Sequence, residues 1–143
     1  MKERILKDHT KVPLLGHGTW HLGEHPGRRV DEIATLHWGI EHGMTLIDTA
    51  EMYGNGASEE LIGEAIADQN REILYLVSKV YPWNAGEDHI FQACEDSLNR
   101  LRTDYLDLYL LHWRGEIPLE ETVSSMEELK AQGKILNWGC IKL

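Results

Sequence analysis

The chain has 143 residues, a length that fits one globular domain. Asp and Glu number 24 against 14 Lys and Arg, for a net charge of -10, and no element gathers the basic residues on one side, which excludes a phosphate-tracking nucleic-acid surface. No apolar run approaches the ~20 residues of a membrane span, Met1 to Val12 lacks the apolar stretch of a secretory signal, and Cys94 and Cys140 are too few for a disulfide framework, so a soluble cytoplasmic protein is expected.

From residue 14 onward, apolar runs of strand length alternate with longer amphipathic stretches, the pattern of βα units around a parallel sheet. A first strand is expected around Leu14-Leu15, leading into Gly16-His17-Gly18-Thr19-Trp20. A helix follows from about Val30 to His42, with Ile33, Leu36 and Ile40 on its apolar face and Gly43 as its stop. Leu46-Ile47 then runs into Asp48. Ser58 is an apt N-cap for a short helix through Leu61, Ile62, Ala65 and Ile66, with Glu59 and Glu60 placed favourably for its dipole.

The next strand, Ile73 to Ser78, runs into Lys79. Between Asp88 and Leu101, the residues Ile90, Ala93, Cys94, Ser97, Leu98 and Leu101 recur at helical spacing, so Cys94 reads as a buried, reduced thiol. Leu106 to Leu111 runs into His112. A fourth helix from Leu119 to Ala131 sets Leu119, Thr122, Val123, Met126 and Leu129 against the acidic surface of Glu120, Glu121, Glu127 and Glu128, before Gly133 stops it. A last strand spans Ile135 to Gly139. Five strands and four helices result, with no Pro- or Ser-rich linker to divide them.

Strands buried on both faces carry ionisable residues only for a reason, yet Asp48, Lys79 and His112 each close such a run. That end of a parallel sheet is where α/β proteins build their sites, and Tyr53 sits in the loop just after Asp48. The group suits carbonyl reduction. A phenol with its ordinary pKa of ~10 is a weak acid at neutral pH, and an adjacent ammonium, here Lys79, favours its ionised form. Asp48 would keep Lys79 charged, and His112 would donate a hydrogen bond to the carbonyl oxygen. Trp20 and Trp113 would wall an apolar pocket. Tyr75, Tyr105 and Tyr109, within or beside apolar runs, read as packing residues. His17, His21 and His25 have helical metal-site spacing, but Gly18, Gly23 and Pro26 break any helix there, so no metal is expected.

Four segments carry a resemblance: Gly16 to Trp20, Leu46 to Gly54, Leu76 to Val80, and Asp104 to Trp113. In order and spacing the chain resembles the bacterial aldo-keto reductases, especially the branch reducing 2-oxoaldehydes such as methylglyoxal. The resemblance implies a catalytic tetrad of Asp48, Tyr53, Lys79 and His112 with Tyr53 as proton donor. It implies NADPH as cofactor, with Gly18, Thr19, Trp20 and Asp48 near the nicotinamide ribose, and a small carbonyl substrate touching Trp20, Tyr53, His112 and Trp113.

A complete (β/α)8 barrel needs ~250 residues, so residues 1–143 are expected to be the N-terminal part of such a domain, an incomplete barrel in a truncated chain. Where the family continues Trp-Gly with Val-Ser-Asn, this sequence continues Trp138-Gly139 with Cys140-Ile141-Lys142-Leu143, without the polar pair that holds the nicotinamide carboxamide. The phosphate-binding loops of later strands are not in it. Open strand edges would then favour self-association, and the alternative to an active reductase is a catalytically silent half-barrel that does not hold cofactor.

Overall fold

A computed structural model describes residues 1–141; Lys142 and Leu143, the last two residues of the divergent segment, lie outside the described residues. Its sheet is the expected parallel arc. The strands are β3 (His17–Gly18), β4 (Leu46–Asp48), β5 (Tyr75–Val80), β6 (Leu106–Leu111) and β7 (Ile135–Cys140), hydrogen-bonded in that order. The helices α1 (Arg29–Glu41), α2 (Ala57–Ile66), α3 (Ile90–Leu101) and α4 (Leu119–Ala131) join them. This is an incomplete (β/α)8 barrel, in which sequential order of parallel neighbours puts all the strand-to-helix loops at one end.

Periodicity explains the helices. All six residues of the α3 stripe, Ile90, Ala93, Cys94, Ser97, Leu98 and Leu101, are buried, and they meet Ile47, Leu76, Tyr109 and Leu111 in one core between helices and sheet. Burial pushes the Cys94 thiol up to about 12, as a reduced core thiol requires. In α4, Thr122, Met126 and Leu129 are buried, while Glu120, Glu127 and Glu128 face outward. Gly43 follows α1 with φ +91, the left-handed conformation that ends a helix. No helix among the described residues is long and apolar enough to cross a membrane.

Three local expectations are corrected. Leu14 and Leu15 are not the first barrel strand: they stand 55% and 62% exposed, and the pairing with β4 is made by His17 and Gly18 against Ile47 and Asp48. The β5 strand begins at Tyr75 rather than Ile73, because Asn70 accepts the Glu72 N–H and closes a 3-10 turn over Arg71–Ile73. Ser58 is not the N-cap of α2. That position is Gly56, and the buried Ser58 hydroxyl lies within 2.8 Å of the Thr19 carbonyl and 2.7 Å of the Leu22 carbonyl, fixing the segment after β3.

An antiparallel hairpin absent from the sequence reading, β1 (Glu3–Ile5) with β2 (Lys11–Pro13), precedes the barrel strands. It lays Leu6 and Val12 against the inner-face residues Leu46, Tyr75, Val77, Leu108 and Leu110. Asp8, in its turn, accepts a bond from Asn137 of β7 at 2.6 Å.

Helices α2 and α3 approach closely at Gly63. A Cβ there would lie 2.2 Å from the Arg100 carbonyl oxygen and 3.0 Å from the Leu101 carbonyl carbon. Those are backbone atoms, so the helices must part, at about 1–3 kcal/mol for overpacking, against at most about 1 kcal/mol gained from helix propensity. Gly63→Ala is therefore expected to destabilise the fold, seen as a lower urea midpoint with an unchanged slope.

Candidate active site

Three strand ends and one loop build the site. Asp48 is the last residue of β4, Lys79 the penultimate residue of β5, and His112 follows β6, with its N–H donating to the Val80 carbonyl at 3.1 Å. Tyr53 opens a short 3-10 turn held by its own N–H on the Ala50 carbonyl. Parallel register brings the four together. The Lys79 Nζ donates to Asp48 Oδ2 at 2.8 Å and to the Thr49 carbonyl at 2.8 Å, and lies 3.2 Å from the Tyr53 hydroxyl. The tyrosine and His112 rings meet edge to face at 5.9 Å.

Burial makes this arrangement forceful. The Lys79 side chain is 5% exposed and that of Asp48 36%, so the ammonium sits in a low-dielectric pocket with its carboxylate at the mouth. All three N–H donors of Lys79 are directed at named oxygens, and the phenol oxygen receives one of them. An ammonium so fixed stabilises negative charge on the Tyr53 oxygen when its proton leaves.

His112 is held neutral. Burial and then the Lys79 ammonium lower its pKa below the ordinary 6.5, against a smaller opposing effect of Asp48. Its Nδ1 is buried without a hydrogen-bond partner, so the proton is better placed on Nε2, from which it can be donated to a ligand oxygen. A histidine whose folded pKa is lowered contributes stability that is present above 6.5 and lost as pH falls toward the folded value. Titration of the ring followed by NMR is expected to give an apparent pKa below 6.5, and removal of the neighbouring charge in Lys79→Met is expected to raise it.

The expected cofactor and substrate residues divide. Trp20 is 63% exposed, with its ring 6.5 Å from that of Tyr53, and Trp113 lies 5.0 Å from His112, so both border the tetrad. A Cβ on Gly18 would meet nothing within 4 Å, which leaves room for a ligand to approach that backbone. Thr19 is different. It is fully buried, its N–H and hydroxyl both donate to the Asp48 carbonyl, and its own carbonyl accepts from Ser58, so it braces Asp48 and presents no polar group outward.

Two buried carboxylates were missed in the sequence. Glu51, 7% exposed, accepts from the Tyr81 N–H at 2.6 Å and the Asn84 amide at 3.2 Å, tying the Tyr53 loop to the loop after β5. Glu59 is fully buried beside Ser78, Ser97 and Arg100 rather than merely serving the helix dipole, and burial raises the pKa of both carboxyls. Glu59 precedes Ile62, Gly63 and Ile66 by three, four and seven positions, so extending that stripe backward would have placed it inside.

Comparison with known proteins agrees with this architecture. Residues 14–142 match the sequence model of the Aldo/keto reductase family, and the chain belongs to that family. It is 58% identical over 132 residues to methylglyoxal reductase YeaE of Escherichia coli strain K12, a match covering 92% of this chain and 46% of that protein. An aldo/keto reductase from Klebsiella pneumoniae, crystallised with NADP and acetate, superposes with a TM-score of 0.90 at 57% identity, over 93% of this chain and 47% of its own. Another aldo-keto reductase from that organism, in complex with NADPH, gives 0.92 at 54% identity, over 98% and 50%. The chain thus spans about half the length of the relatives it matches.

Proposed function

We propose that residues 1–143 are the N-terminal part of a cytoplasmic NADPH-dependent carbonyl reductase domain, and that Asp48, Tyr53, Lys79 and His112 convert small aldehydes and ketones, 2-oxoaldehydes such as methylglyoxal among them, to alcohols. The observation that carries this reading is the Lys79 ammonium bonded at once to Asp48, the Thr49 carbonyl and the Tyr53 hydroxyl. His112 Nε2–H and the Tyr53 O–H converge on the carbonyl oxygen, and Tyr53 releases its proton to that oxygen as charge develops there. Lys79 steadies the resulting phenolate, and Asp48 holds Lys79 in line.

Bound NADPH supplies the hydride to the carbonyl carbon. The open space beside Gly18, the exposed face of Trp20 and the mouth carboxylate of Asp48 fit the nicotinamide ribose end, with Thr19 acting through Asp48. Trp20 and Trp113 flank the substrate beside Tyr53 and His112.

A second reading rests on a different observation. Among the described residues the outer edges of β3 and β7 pair with no strand, and Leu46, Leu108 and Leu110 on the inner face are only half-buried. These features favour pairing of two copies, with catalysis silent unless that pairing or further chain completes the cofactor site. Titration of the 143-residue chain with NADPH, following tryptophan quenching alongside size-exclusion chromatography, separates the readings. Saturable micromolar binding supports the reductase; a self-associated species that leaves NADPH unbound supports the silent form.

A further inference from the structure

Beyond the tetrad, aromatic rings continue outward in a row. Trp113 contacts His112 at 5.0 Å and Trp83 at 5.7 Å with the two indoles at 74°, and Tyr81 stacks on Trp83 at 4.4 Å. The indoles form two sides of a cleft of about 290 Å³, completed by Pro82, Gly115, Glu116 and Ile117. Trp83 is 58% exposed although it could have packed inward, so the cleft keeps a large apolar face open to solvent.

Its walls are fixed. Glu51 holds the Tyr81 N–H and the Asn84 side chain, the Thr122 hydroxyl donates to the Ala85 carbonyl at 2.9 Å, and the Glu87 N–H donates to Glu121 at 2.9 Å. The opposite loop seats closely, since a Cβ on Gly115 would lie 2.6 Å from the Pro82 Cβ. A pre-formed pocket keeps the ordering cost of binding low.

We propose that this cleft is a binding site for a neutral aromatic ring. Two indoles near a right angle offer one ring a stacked contact and an edge contact together, Ile117 and Pro82 supply an aliphatic floor, and the Glu116 carboxylate at the rim disfavours an anion. Because only Trp113 separates the cleft from His112, the site selects carbonyl substrates that carry an aryl group on a spacer reaching past one indole. That extension to substrates rests on the reductase reading; the ring site itself does not.

The test uses the 15N-labelled 143-residue chain without NADPH, whose five tryptophans give five indole N–H signals. Titration with 4-fluorobenzyl alcohol is expected to shift the Trp83 and Trp113 signals saturably and to leave Trp38 and Trp138 in place. Cyclohexylmethanol and 4-fluorobenzoate are expected to bind at least about tenfold more weakly. Ile117→Phe, which fills the cleft with its own ring, and Trp83→Ala are each expected to abolish the saturable shift while the remaining indole signals keep their dispersion. Shifts centred on Trp20, equal shifts at all five indoles, equal affinity for cyclohexylmethanol, or binding that survives both substitutions would overturn the proposal. Ring binding in a chain that fails to bind NADPH would leave the cleft standing and count against the reductase reading alone.

Discussion

Tyr53→Phe is expected to lower carbonyl reduction by about 10²–10⁴-fold, the usual contribution of a positioned general acid, in any preparation of the chain that binds NADPH. The substitution removes one oxygen from a ring that keeps its edge contact with His112 and its cation contact with Lys79, whose Nζ lies 4.9 Å from the ring centroid. Cofactor affinity should therefore hold while turnover falls. Single-turnover loss of NADPH absorbance, beside a binding titration, separates the two quantities. Turnover that survives would remove Tyr53 as the proton donor. A parallel loss of NADPH affinity would assign the residue to binding instead.

The largest expected effect on stability lies at the other end of the barrel. Arg71 donates to the Thr103 hydroxyl, to the Leu74 and Tyr105 carbonyls, and to Asp107 at 2.7 Å, with its guanidinium 3.9 Å from the Tyr105 ring centroid. Asp107 is 9% exposed and also accepts the Leu76 N–H. Arg71→Ala leaves that carboxylate buried with its cation gone and two carbonyls short of donors, at a cost of about 3–5 kcal/mol. Urea unfolding should show the midpoint drop by that equivalent. Arg71→Lys is expected to recover only part of the loss, because one ammonium does not reproduce the planar fork that reaches four acceptors. A drop no larger than that of an exposed surface pair, about 0–1 kcal/mol, would mean that water replaces the arginine.

What was legible in the sequence follows the strength of the periodic signal. The α3 stripe could be read to the residue because a helix packed on one side leaves a 3.6-residue record, and the tetrad could be read because charged residues interrupted apolar strands at matching ends. The hairpin could not be read: Glu3, Arg4 and Ile5 are all exposed, so no alternation marks β1, and its turn places His9 at φ +67 without a glycine to announce it. The first barrel strand was displaced for a related reason. Two paired residues are too few for a hydrophobic signature, and the nearby Leu14-Leu15 run supplied a false one. Glu51 and Glu59 escaped because a buried carboxylate has the same letter as a solvated one, and only its partners, Tyr81 and Asn84 for one and Ser97 and Arg100 for the other, distinguish them.

The bond between Asp8 and Asn137 spans 129 positions of sequence. Residues made first during synthesis thus reach their seat only after nearly the whole sheet exists, since Leu6 and Val12 rest on β4, β5 and β6 and Asp8 on β7. The hairpin is the latest piece to dock, and its loop-closure entropy falls due when little remains to be gained elsewhere. Until then the lower rim, with Tyr75, Val77 and Leu108, stands open to other chains, so the order of assembly rather than the finished contact decides how long the nascent protein is exposed to aggregation.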